Sequence, residues 1–256
     1  MLGPLVVGLY GSVAKLRNIA IIGTVIFGVG VFSSMSSGPM FGMMVAAAFG
    51  LIFRYRRYWK ILLGVMIIGC VAVEIISNRH FYDVLGRFTL SPGTAWYRSK
   101  LIDVALFQGG MSGYWIAGHG FADPGWSAVI DNRDHTDIVN HYLLILSVFG
   151  LVGLVPFMAI LVSAVKCLVR AFKATVTGDQ KWLVWCLGAS IVGTLAAMNT
   201  VSLFGQPITI FFITIALCGC SAEVMRTSAI TTMASLKYKS QKCSGNLKGS
   251  SCRVGT

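Results

Sequence analysis

Charge is what this chain has least of. Nine acidic and 21 basic residues make up 12% of its 256 positions, where a soluble domain carries about 25%. That shortage, with 55% hydrophobic residues and a mean hydropathy of +0.75, excludes an ordinary soluble globular domain. A membrane-spanning β-barrel is excluded by a second absence: segments of about ten residues alternating apolar and polar do not occur. Cysteine is missing where a disulfide framework would need it. Cys70, Cys167, Cys186, Cys218, Cys220, Cys243 and Cys252 all avoid residues 78–137, the long segment that the charge pattern places on the oxidising side. Cys218 and Cys220 stand two apart on an apolar helix and face different directions, so they read as packing residues and no metal site is expected. No internal repeat is present. No charged start precedes the apolar residues 2–11, which read as the tail of a helix begun elsewhere rather than as a signal peptide.

What is present is a series of apolar runs that approach the roughly 20 residues needed to cross a bilayer. Six can be drawn: Asn18 to Ser33, Met40 to Phe53, Trp59 to Ser77, Ile138 to Val165, Trp182 to Val201 and Ile208 to Ala222. The net charge of +12 does not point to nucleic acid, because it is distributed by topology. Lys15 and Arg17 precede the first run, "RYRRYWK" (54–60) joins the second to the third, and Lys166, Arg170, Lys173 and Lys181 lie between the fourth and fifth. Arg226 and five further basic residues follow the sixth. Every second connection is basic, which puts the start, the 54–60 and 166–181 loops and the tail in the cytoplasm. Residues 78–137, with five basic and six acidic residues, then face the other side. The Ser- and Gly-rich basic tail is expected to be disordered and to lie near anionic headgroups.

The candidate chemistry gathers on that outer side. His80, His119, His135 and His141 all lie in or at the edge of 78–137, with Trp96, Trp115 and Trp126. In "DHTDIVNHYLLILSVFGLVGLVPF" (134–157) two histidines, two aspartates and an asparagine lead into the mouth of an apolar run, which a plain anchor does not need. Residues 91–110 read as a loop and then a helix near 96–108. Arg98 and Lys100 would occupy its first turn, and Gly109-Gly110 its end. Trp96, Leu101, Val104 and Ala105 would give it a stripe suited to the membrane surface. Residues 116–126 read as an irregular cover. Arg98 is either a snorkelling interfacial arginine or a guanidinium fork for a substrate phosphate. His141 is either an interfacial polar group or a base. "SSMSSGPM" (33–40) is either an outer turn or irregular backbone lining a wet cavity, with Pro39 opening a helix whose free N–H groups suit an anion. Glu74 either reaches the interface or pairs with an outer arginine.

Several of these residues occur in one order. "SSMSSGPMFGMMVAAAFGLI" (33–52) is followed by Trp96-Tyr97-Arg98, then by Gly118-His119-Gly120, then by "DIVNHYLLILSVFGLVGL" (137–154). Over roughly residues 30–160 this resembles the C-terminal half of the O-antigen ligase and polymerase superfamily, integral-membrane glycosyltransferases of surface polysaccharides. The resemblance implies action on the outer face of a bacterial cytoplasmic membrane, on a glycan carried by a polyprenyl diphosphate. It implies no nucleotide sugar, cofactor or obligatory metal. Arg98 matches the outer-helix arginine that holds the diphosphate, and His141 lies in the motif whose histidine activates the acceptor hydroxyl. Two departures stand out. Ser37, beside Gly38, occupies the place where many members carry arginine, so that contact is either absent or supplied by Arg87 or Arg133. Asn140 and His141 stand in a shifted order, which leaves His135 and His119 as alternative bases. Members usually carry more spans than six, which implies a fragment or late-start product.

The expectation is an all-α polytopic membrane protein with about six transmembrane helices and a capping periplasmic segment. Residues 1–77 hold three helices, 78–137 the cap, 138–225 three more helices and 226–256 the tail. The expected activity is glycan transfer or polymerisation from a polyprenyl-diphosphate donor to lipid A core or another glycan, in contact with membrane lipids and without nucleic acid. The alternative is a non-catalytic membrane protein, a transporter half or an assembly partner.

Overall fold

The structure, a computed structural model, describes residues 3–12, 16–58, 92–131, 135–203, 205–224 and 226–227, with positions 61, 64, 65, 68, 69, 71 and 72. Among the described residues every regular element is helical. The fold is organised by α1 (Gly3–Ser12), α2 (Arg17–Ser33), α3 (Ser37–Ile52), α4 (Pro92–Ile102), α5 (Trp126–Ile130), α6 (His141–Ala174), α7 (Gly178–Met198) and α8 (Gln206–Val224). Four of them, α3 extended to Tyr55 and α6, α7 and α8, are long and apolar enough to cross a membrane, while α2 is apolar but shorter. The third expected span, Trp59 to Ser77, lies mostly outside the described residues, as do Glu74, His80, Arg87, Arg133 and the chain beyond 227.

The bundle is seamed by small residues. Gly38, Gly42 and Ala46 recur every four positions along α3 and are all buried, so they line one face of the helix. A β-carbon on Gly42 would sit 2.7 Å from the Gly193 carbonyl oxygen of α7, and one on Gly193 would sit 2.6 Å from the Ala46 β-carbon. Such close approach is how helices associate where lipid removes the hydrophobic drive between them. Farther along, the contact turns aromatic. Phe49 stacks on Trp185 with centroids 4.7 Å apart, and Phe53 meets Trp182 edge-on at 5.0 Å. The Trp185 indole N–H donates to the Phe49 carbonyl at 2.9 Å, satisfying an acceptor in the last turn of α3 that the helix itself leaves open. The order of contacts makes α3 and α7 antiparallel.

This packing sorts the connections by end. The end of α3, the α6–α7 connection and the end of α8 lie together, because Phe53 meets Trp182 and Cys218 packs with Leu168 and Leu187. Gly8 of α1 lies against Cys186 and Arg17 donates to Tyr10 Oη, which brings the end of α1 and the start of α2 to the same end. Arg54, Lys173, Lys181 and Arg17 therefore gather there. The Ser33–Ser37 turn and residues 198–203 occupy the opposite end, where Phe211 packs with Met198 and Leu203. The alternation of basic connections along the sequence is thus a spatial asymmetry of the bundle.

Three expectations about the helices are corrected. The helix carrying Arg98 begins at Pro92, because proline suits a first turn, so Arg98 lies within it rather than at its start. It then widens into a π-turn over Asp103–Phe107 before the Gly109-Gly110 stop. Its apolar stripe faces protein rather than lipid: Leu101, Val104 and Ala105 are buried with Met111, Trp126, Leu143 and Leu146, and only Trp96 is half exposed. The fourth run also extends past Val165 to Ala174, so Lys166, Arg170 and Lys173 stand on α6 and not in a loop.

α6 is broken. Gly150 has φ +63° and ψ −158°, a conformation open to glycine. In a straight helix His141 and Phe157 would be about 24 Å apart along the axis, yet their ring centroids lie 6.0 Å apart. Residues 141–149 therefore fold back beside the start of 151–174, and the latter portion alone exceeds the roughly 20 residues of a span. Backbone from the cap fills the break. His119 and Gly120 N–H donate to the Ser147 and Val148 carbonyls at 2.6 and 3.0 Å, and Leu151 and Val152 N–H donate to Trp115 and Ile116 at 2.8 and 3.2 Å. A β-carbon on Gly118 would lie 2.6 Å from the Gly150 nitrogen. The irregular cover expected at 116–126 is in part a plug.

The seam makes a direct prediction. Gly42→Val overpacks α3 against α7 and should cost about 1–3 kcal/mol, read as an earlier transition in denaturant titration of the protein in mixed micelles. Gly50→Ala, with nothing within 4 Å of the added carbon, should leave the transition unchanged or raise it slightly.

Candidate functional site

α4 lays Arg98 over the start of α3. Its Nη1 donates to Ser37 Oγ at 3.4 Å, while its Nε is buried without a hydrogen-bond partner. Burial draws the guanidinium below its ordinary value, but arginine stays charged in proteins. A snorkelling arginine holds its head in water; this one has part of its fork enclosed. Beneath it Ser36 takes the extended backbone of an N-cap without a side-chain cap bond, and Pro39 offers no N–H. The first turn of α3 thus presents N–H groups and the positive end of the helix dipole next to a partly desolvated cation. That is the chemistry of an anion site.

The turn after α7 ties this region to α6. Gly38 is pressed against it, since a β-carbon there would overlap Val201 and reach Thr200 Oγ1 at 3.1 Å. Ser202 Oγ donates to the Ile138 carbonyl, and Leu203 N–H donates to His141 Nδ1 at 3.2 Å. Arg98, Ser37 and Gly38 are thereby linked to His141 through residues 200–203. His141 is only 5% exposed, and the bond from Leu203 fixes its neutral form with the proton on Nε2. Asn140 caps α6: its Oδ1 accepts from Tyr142 and Leu143 N–H at 3.0 and 3.1 Å, the usual work of an N-cap asparagine. Sequence reasoning passed over 200–203. The signal available was "NTVS" (199–202), four residues of which three are polar at the end of an apolar helix.

The other histidines stand elsewhere in the cap. His119 stacks on Tyr114 with centroids 4.0 Å apart and meets Trp126 edge-on at 5.8 Å. Its Nδ1 is buried without a hydrogen-bond partner. The His135 side chain is 92% exposed, and its Nδ1 lies 3.3 Å from Asp123. Asp123 is held chiefly by other groups: Gly125 and Thr136 N–H both donate to it at 2.8 Å, and those bonds keep its carboxyl well below the usual carboxylate range. The structure thus brings Arg98, Ser37, Gly38, Asn140 and His141 to one end of the bundle around residues 200–203. His119 and His135 lie among the cap's own contacts.

No family model, curated protein or solved structure matches this chain. The site is therefore read from its own geometry. If His141 serves to anchor residues 200–203, His141→Leu should leave the Leu203 N–H unsatisfied and cost about 1–3 kcal/mol. His141→Gln, which offers an acceptor oxygen, should recover part of it. Denaturant titration in mixed micelles reads both.

Proposed function

We propose that the chain is a membrane glycosyltransferase, or part of one, that moves a glycan from a polyprenyl diphosphate to lipid A core or another glycan in O-antigen or exopolysaccharide assembly. The observation that carries this reading is the half-buried Arg98 above the uncapped start of α3. A donor diphosphate meeting that site would find a fixed guanidinium and backbone N–H groups together, at the end of the bundle opposite the basic connections. With those connections in the cytoplasm of a bacterial inner membrane, the site faces the periplasm, where lipid-linked glycans are consumed.

In the reaction the acceptor hydroxyl forms a bond to the anomeric carbon while the bond to the diphosphate oxygen breaks. Negative charge grows on the leaving group, so an arginine contact contributes more in the transition state than in the ground state. The hydroxyl proton needs a base. His141 takes that role only by releasing the Leu203 N–H, because its Nε2 already carries a proton in the neutral form fixed by that bond. A second reading, a non-catalytic transporter half or assembly partner, is favoured by this same engagement of His141 and by Ser37 standing where many members of the superfamily carry arginine.

Arg98 decides between them. Arg98→Ala should lower glycan transfer on the order of 10²–10³-fold at unchanged membrane abundance, and Arg98→Lys should restore only part, since the charge remains but the planar fork does not. The measurement is a glycan ladder from a strain lacking its own enzyme, normalised to protein level. Normal transfer by Arg98→Ala removes the diphosphate role.

A further inference from the structure

Lys166 stands where an apolar bundle has least use for a charge. It lies on α6 between Leu161, which packs with Met198, and Leu168, which packs with Leu187. An apolar groove of about 570 Å³ opens sideways between α6 and α7 at this level. Tyr142 and Asn199 close it toward the Arg98 end, Leu161, Val162 and Leu195 form its walls, and Lys166 stands at its other end. Helical spacing then continues the same line downward. Val162, Lys166, Arg170 and Lys173 fall on one face of α6, and all four are exposed. Lys181 of α7 joins them at the α6–α7 connection.

Topology alone accounts for basic residues in the connections. It does not account for a lysine set a turn or more inside the helix, at the foot of an apolar groove that runs into a basic stripe. A cation at membrane depth is costly unless it reaches the interface or meets an anion. We propose that this groove and stripe bind one anionic phospholipid of the leaflet at the basic end. Its phosphate lies between Lys166 and Arg170, and an acyl chain lies along Leu161, Val162 and Leu195. The occupant follows from charge complementarity. Basic pockets between helices select lipids with net negative charge, and the groove walls accept hydrocarbon, which a soluble phosphate lacks. The site lies toward the opposite end of the bundle from Arg98 and does not rest on the transferase reading.

The test is native mass spectrometry of the full chain in detergent, after mixing with vesicles of dioleoylphosphatidylglycerol or dioleoylphosphatidylcholine. One phosphatidylglycerol per chain should survive, retained about tenfold or more over phosphatidylcholine. The double variant Lys166→Gln, Arg170→Gln should fall to the phosphatidylcholine level. Val162→Trp should do the same by filling the groove with the charges intact. Arg54→Gln, at the same end but on the turn after α3, should retain lipid as the parent does. Equal retention of the two lipids overturns the proposal. So does a loss on Arg54→Gln as large as on the double variant, or unaltered retention by Val162→Trp. Preferential capture of a prenyl phosphate over phosphatidylglycerol overturns it as well, by assigning the groove to a donor lipid.

Discussion

The fold depends on four backbone hydrogen bonds between residues 115–120 and 147–152. A helix that reverses in the middle of an apolar run frees carbonyl and N–H groups, and hydrocarbon offers them no partner. Here the cap supplies those partners. Gly118 and Gly150 permit it by removing the β-carbons that would separate the two backbones. Because α6 folds back, His141 and Asn140 lie beside residues 200–203 instead of projecting beyond the bundle. The cap is anchored by the same bonds, and the cap carries Arg98. Remove the break and the candidate site loses both of its sides.

The second support is the seam between α3 and α7. Close backbone approach at Gly42 and Gly193 sets the height of α3 against α7, and that height places Gly38 on Val201. The start of α3 is therefore positioned by packing a few turns away, while its N–H groups stay open for an anion. Rigidity comes from small residues and openness from the missing cap. An N-terminus satisfied by its own serine would have less to offer an anion.

Much of this was legible in the sequence. The apolar runs located α2, α3, α7 and α8 to within a few residues and the start of α6 but not its end, and the alternating basic connections foretold one basic end. Three failures have physical causes. The stripe Leu101, Val104 and Ala105 has the same periodicity whether it meets lipid or protein, so pattern alone assigned it to the membrane surface while the structure buries it under Met111 and Trp126. The break at Gly150 depends on partners some 30 positions earlier in the chain, and local periodicity carries no sign of them; "GHG" and "FGLVGL" showed glycine but not that the two would meet. Lys166 was read as loop because a charge commonly marks a helix end, although the helix continues to Ala174. Arg98, Ser37 and His141 were found by residue type and order, but their linkage through 200–203 needed the fold.

The reversal of α6 is the claim on which the rest stands, and proximity between its two halves tests it most directly. The rings of Tyr142 and Phe157 have centroids 6.2 Å apart, whereas an unbroken helix would separate the two positions by about 22 Å along its axis. Cysteines placed at both positions and treated in membranes with a short bifunctional thiol reagent should yield an intramolecular 142–157 cross-link, identified by peptide mass spectrometry. Reaction of both cysteines without that cross-link would mean that α6 runs straight, and would contradict the account.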